Sequence, residues 1–253
     1  MVKIHPVLLF NENEFTLMKS KSYLIFLLFF SIPMLVGWSW FQPNTYKAIT
    51  AKVGSSSWFS QEISSIKSQA TNLDNGVLKL ALTAYAKARA QGLDDKRLLT
   101  IIDYSRPSTK RRLWVVDVLH RKVLFNTWVS HGRNSGALRA TSFSNKSGSL
   151  KSSLGVFLTD DQPYMGGNGY SLRMKGLEPG INDHAYNRNI VFHGAWYAAS
   201  NVANKYGTLG RSWGCPAVDV ATAKPLIDTI KNDTLVVAYY PDVKWLQQSS
   251  WVS

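Results

Sequence analysis

The chain carries a single cysteine, Cys215, within the run Gly210-Arg211-Ser212-Trp213-Gly214-Cys215-Pro216-Ala217-Val218. A free thiol has a pKa of about 8.5, so it is a poor nucleophile near neutrality until a base takes its proton. A candidate base lies upstream. Ile190-Val191-Phe192 is a short apolar run ending in His193 and Gly194, the pattern of a buried strand that delivers a side chain at its end. We expect His193 to take the proton of Cys215 and give a thiolate–imidazolium pair. Gly214 leaves room for a carbonyl to approach, and the main-chain N–H groups of Gly214 and Cys215 are the expected oxyanion donors. Arg211 and Ser212 are expected to shape the turn, with Ser212 offering a hydrogen bond to a bound acyl group. The chemistry is attack of sulfur on an amide carbonyl to give a thioester. An amine would resolve that thioester into a new peptide bond, and water would hydrolyse it. Neither outcome needs a metal or organic cofactor. No Cys-x-x-Cys or His-Glu-x-x-His spacing gathers Cys215, His193, His131 and His184 around an ion.

The elements that must position this pair are legible around it. Charged residues make up 18% of the chain and the formal net charge is +13, which suits an anionic partner. The basic residues are scattered apart from Lys110-Arg111-Arg112, no nucleic-acid motif surrounds that triplet, and no nucleic-acid partner is expected. Tyr23–Gly37 is almost wholly apolar and follows Lys19 and Lys21. It reads as a basic region and hydrophobic region of an export segment, with Met18 a plausible true start. We expect residues 1–41 to be a removed signal peptide or a membrane anchor, and the protein to be exported to the periplasm or cell envelope. Residues 42–74 are polar and serine-rich and read as a linker, with Ile63 and Ile66 marking a short helix. Residues 75–242 read as one catalytic domain, and 243–253 as a tail. Val77, Leu80, Ala81, Ala84, Tyr85 and Ala88 keep helical spacing, so a packing helix is expected over Asn75–Gly92. Leu99–Tyr104, Arg112–Leu119, Val123–Val129, Ser171–Lys175 and Leu235–Tyr240 read as strands. Thr222–Lys231 reads as a helix with Pro225 in its first turn. Tyr164 and Tyr170, with the glycines between them, suggest a flap. Many short strands with few helices imply a mainly β (α+β) fold, a β-sandwich or open barrel.

His193-Gly194 followed downstream by Ser212-Trp213-Gly214-Cys215 resembles the signature of the YkuD-like L,D-transpeptidases, and most closely the branch with Trp before Gly-Cys. Ser130-His131-Gly132, Ser152-Ser153-Leu154-Gly155, Ser171-Leu172-Arg173 and Gly176-Leu177-Glu178-Pro179-Gly180 match that branch in order. The resemblance implies the L,D-transpeptidase fold, a peptidoglycan stem-peptide substrate cleaved before its terminal D-alanine, and a Cys215 acyl-enzyme. Trp213 stands where the wider family has histidine, so that position supplies no base. Pro216-Ala217-Val218 lacks the arginine that often follows the cysteine, which leaves Arg188, Arg173 and Arg211 as candidates for a substrate carboxylate. His131 is expected to line the site. An L,D-carboxypeptidase of the same fold and an inactive wall-binding module are the alternatives.

Overall fold

The computed structural model describes residues 51–253. The apolar stretch read as a signal or anchor, and the start at Met18, lie outside the described residues. Among those described, no helix is long and apolar enough to cross a membrane.

Among the described residues, nine strands form one mixed sheet that curls into a nearly closed barrel. In chain order they are β1 (Leu98–Asp103), β2 (Leu113–Asp117), β3 (Lys122–Thr127), β4 (Gly155–Thr159), β5 (Tyr164–Gly166), β6 (Gly169–Gly176), β7 (Val191–Gly194), β8 (Ala217–Val218) and β9 (Leu235–Tyr239). Their spatial order is β3-β2-β1-β9-β4-β6-β7-β8, with β5 paired to β6. The β1–β9 and β7–β8 pairs are parallel and the other pairs antiparallel. Strands of this sheet are apolar on both faces, and alternate residues enter two separate cores. Leu99, Trp114, Val156 and Val237 face one core; Ile102, Val115, Phe157 and Val236 face the other. This explains why the strands read as continuous apolar runs rather than as alternating ones.

Helices cover both faces. Helix α2 (Asn75–Ala90) is capped by Asp74, whose carboxylate accepts from the N–H groups of Gly76 and Val77, and it buries Val77, Leu78, Ala81, Leu82, Tyr85 and Ala88 in the first core. Helix α1 (Ser56–Gln69) packs beside it through Trp58 and Ile66. The stretch read as a polar linker is therefore, from Ser56 onward, a structural layer of the domain. Its serines face water while Trp58, Glu62 and Ile66, four apart, form a buried stripe. The residues read as a tail are also packed: α5 (Val243–Gln248) puts Trp245 in the same core, where its indole N–H donates to the buried Glu178 carboxylate. On the other face, α4 (Val220–Ile230) buries Ala223, Leu226, Ile227 and Ile230. Pro225 lies in the interior of α4 and not in its first turn, because the helix begins earlier than expected. Burial of that apolar face offsets the lost main-chain bond. The short helix α3 (Ser200–Tyr206) follows a 3-10 turn at Trp196–Ala198 and ends at Gly207, whose φ is 69°.

Candidate active site

Strands β7 and β8 run side by side and parallel, with His193 opposite Ala217. Cys215 lies in the turn entering β8, so the pairing brings the histidine end of one strand beside the cysteine end of the other. Both side chains line one cavity of about 250 Å³, together with Asn168, Tyr197, Arg211, Ser212 and Trp213.

The turn is held from three directions. Along its outer side, the Ser130–Arg133 segment is laced to it: the Ser130 N–H donates to the Ala217 carbonyl at 2.8 Å, the Ser212 N–H to the His131 carbonyl at 3.0 Å, and the Arg133 N–H to the Ser212 carbonyl at 2.7 Å. From beneath, the Ser152 hydroxyl accepts the Gly132 N–H at 3.0 Å and donates to the Gly214 carbonyl at 3.1 Å. Within the turn, the Ser212 hydroxyl donates to the Cys215 carbonyl at 2.7 Å and accepts the Gly214 N–H at 3.1 Å. Gly214 has φ 126°, and a Cβ there would stand 2.8 Å from the Lys151 carbonyl oxygen, so both conformation and space demand glycine.

The imidazole of His193 is nearly buried, and its Nδ1 lies 3.0 Å from the Gly194 carbonyl. A carbonyl only accepts, so Nδ1 carries the hydrogen and Nε2 keeps a free lone pair, the tautomer a general base needs. The group that orients the ring is thus the main chain of the next residue, not a carboxylate. Burial pulls the His193 pKa down, opposed by that hydrogen bond. Burial likewise pushes the Cys215 thiol up, while the Val191 N–H and the Arg188 guanidinium favour the thiolate. Both directions favour uncharged partners at rest. The sulfur lies 3.4 Å from the Asn189 carbonyl, which can accept the thiol hydrogen.

The other residues singled out from the sequence fall into different places. Gly194 is packed so closely against α4 that a Cβ would meet Val220 Cα at 3.2 Å. Arg211 and Trp213 line the cavity, and Arg211 is exposed with only long bonds to the Arg133 and Gly136 carbonyls. Arg188 is engaged by the Ser144 and Lys151 carbonyls and the Ser149 and Ser153 hydroxyls. Arg173 lies against Tyr164 and Tyr186 and bonds the Asn189 side chain. His131 does not line the cavity. It is buried behind the turn, its Nδ1 accepting from Arg112 at 2.8 Å and its Nε2–H facing the Gly136 carbonyl at 3.3 Å. Burial and the Arg112 charge depress its pKa to about 4. His184 bonds Asn145 on a separate loop. The Gly214 N–H, expected as an oxyanion donor, is already committed to Ser212, whereas the Cys215 N–H has no acceptor among the described residues. The expected flap is the β5–β6 hairpin, and Asn168 at its tip reaches the cavity. Among the described residues, no cluster of histidine, cysteine and carboxylate side chains could hold a metal.

Sequence reading missed Tyr197. Its ring lines the cavity, its hydroxyl makes no hydrogen bond among the described residues, and burial, with any thiolate at Cys215 acting the same way, pushes its pKa up to about 12. Its position in Ala195-Trp196-Tyr197, just after His193-Gly194, was the available signal.

Residues 69–239 match the family model described as the L,D-transpeptidase catalytic domain. The chain belongs to that family. Among solved structures, this L,D-transpeptidase domain is similar to LdtMt1 in complex with imipenem, at 13% identity and a TM-score of 0.36 over 56% of this chain and 59% of that one. It is similar also to an L,D-transpeptidase from Mycobacterium smegmatis, at 13% identity and 0.35 over 57% and 59%. A third, from Stackebrandtia nassauensis, aligns at 13% identity and 0.34 over 65% and 66%. The chain thus spans about three fifths of the first two of these structures. A search of curated proteins gives no match.

Proposed function

We propose that the protein is a peptidoglycan L,D-transpeptidase that works through a Cys215 thioester. The observation that carries this reading is the shared cavity of Cys215 and His193, with the histidine tautomer set by the Gly194 carbonyl so that Nε2 is the free base. As the donor stem peptide binds, the thiol leaves Asn189 and gives its proton to Nε2 while sulfur bonds the carbonyl carbon. Negative charge collects on the carbonyl oxygen, where the Cys215 N–H and the Tyr197 hydroxyl are the available donors. Collapse breaks the carbon–nitrogen bond, and the imidazolium returns the proton to the departing D-alanine amine. An acceptor amine then attacks the thioester, its proton passes to Nε2, and the new peptide bond frees the sulfur, which recovers that proton. Arg211 is the cation placed to meet a substrate carboxylate, being exposed at the cavity and lightly engaged. The cell envelope is the compartment where this substrate exists, in keeping with the export segment read at the amino end.

The test is mass spectrometry of the full-length protein incubated with a tetrapeptide stem. We expect an acyl adduct on Cys215 that is absent in Cys215→Ala, and dimeric product when an amine acceptor is supplied. Tripeptide without dimer would replace the transpeptidase by a carboxypeptidase, and no adduct at all would refute the thioester.

A further inference from the structure

Beside the Cys215 cavity lies a second hollow of about 480 Å³, and Tyr197, Arg211 and Trp213 form the wall common to both. Its surface is unusual for ordinary protein exterior. Trp213 is 74% exposed, Trp196 71% and Tyr206 62%. Large aromatic rings left clustered in water mark a binding surface, since each has 150–250 Å² to bury. Trp196 stands edge-on to Tyr197, centroids 5.9 Å apart and planes at 79°, which holds its ring in place.

The hollow is also basic. Arg133 and Arg211 line it, and no acidic residue does. Arg133 has no side-chain hydrogen bond or ion pair among the described residues, and Lys205 sits over the Tyr206 ring at 5.2 Å. The ligand that fits must therefore offer flat apolar faces to several rings in a row and carry negative charge beside them. Pyranose rings present such faces through their C–H bonds, and carboxylates pair with guanidinium groups.

We propose that this hollow binds an amino-sugar strand bearing acidic peptides, with sugar rings stacked on Trp196, Tyr206 and Trp213 and peptide carboxylates against Arg133 and Arg211. The proposal rests on the peptidoglycan reading above and assigns the parts of the polymer: the scissile peptide bond to the Cys215 cavity, the sugar rings to the aromatic faces of the hollow, and the peptide carboxylates to its arginines. The net charge of +13 works in the same direction, toward an anionic polymer.

The test uses full-length protein carrying Cys215→Ala, so that nothing turns over. Calorimetric titration compares a disaccharide-tetrapeptide with the same tetrapeptide free of sugar. We expect the sugar-bearing ligand to bind about tenfold more tightly, equivalent to ~1.4 kcal/mol. That advantage should vanish when Trp196→Ala and Tyr206→Ala are added, with the fold verified by circular dichroism. Arg133→Gln should weaken both ligands alike. Equal affinity for the two ligands, an advantage that survives loss of both rings, or no binding of either would overturn the proposal. Ring substitutions that weaken the sugar-free peptide equally would place peptide, not sugar, on the rings, and would overturn it too. Failure of the thioester reading is seen separately, as the absence of an acyl adduct on otherwise wild-type protein given the free tetrapeptide.

Discussion

Removing one hydroxyl, that of Ser212, separates a structural role from a substrate-binding one. The Ser212 side chain is buried and closes the cysteine turn on itself, giving to the Cys215 carbonyl and taking from the Gly214 N–H. Ser212→Ala leaves one buried acceptor and one buried donor unmet. Each costs about 1 kcal/mol or more when left without a partner, so the pair amounts to about 2 kcal/mol. For a domain of this size that corresponds to a fall in melting temperature of about 4–8 °C. The thioester-forming rate should fall in parallel, because the turn that aims the sulfur loses its internal brace. Differential scanning calorimetry and the rate of acyl adduct formation read the two effects. A variant that melts with the wild type but acylates slowly would show that the hydroxyl serves substrate and not the turn, and would refute the reasoning.

The remaining predictions are read by equally direct measurements. Because burial disfavours charge on both Cys215 and His193, acylation should keep its acid limb below pH 6.5, where His193 gains a proton, and alkylation of Cys215 by iodoacetamide should accelerate only above pH 9. Rapid alkylation at pH 6 would mean an ion pair at rest. Tyr197→Phe should slow acylation by about 10²-fold with an unchanged melting temperature; a change under threefold would remove the phenol from the reaction. His131 is neutral in the fold with a pKa near 4, against 6.5 when unfolded. The unfolded chain alone binds its proton between those values, so stability should fall by up to roughly 3 kcal/mol as pH drops from 6.5 to 4. The difference in melting curves between wild type and His131→Gln isolates that contribution, and parallel curves would contradict it. Trp245→Ala should cost about 3–5 kcal/mol in urea unfolding, since it empties a large core site and strips a donor from Glu178. A loss below 1 kcal/mol would mean that α5 is dispensable.

Strands β1, β2, β3, β6, β7 and β9 and the main packing helix were legible because apolar runs bounded by polar turns leave few alternatives. Leu99–Tyr104 and Leu235–Tyr240 fall within a residue of β1 and β9 at each end. Helix α1 was read only as a short helix at Ile63 and Ile66 within a linker: its serines dominate the composition, while the stripe Trp58, Glu62, Ile66 that packs it includes a charged residue. Glu62 is tolerated there because Arg121, distant in sequence, meets its carboxylate at 2.8 Å. The same limit applied near the cysteine. Residue types pointed to a thiol, a base and a glycine, but hydrogen-bond partners are a property of the folded turn. That Ser212 would occupy the Gly214 N–H follows from the conformation of the turn, and that Arg112 would claim His131 from which segments the sheet brings together. His131 shows the point well. A histidine beside glycine reads as a site residue until a buried guanidinium is found against its ring.

The Glu178 carboxylate ties the end of the chain to a loop with business elsewhere. It receives Trp245 and Ser249 from the C-terminal segment and the Val156 N–H from the sheet. From Glu178 the chain runs through Asn182, whose amide is pinned to the Leu154 and Val156 carbonyls, to Asn189, whose carbonyl parks the thiol proton. A proteolytic nick after Tyr240 would therefore leave the buried Glu178 carboxylate short of two donors at the start of the loop that ends on Asn189.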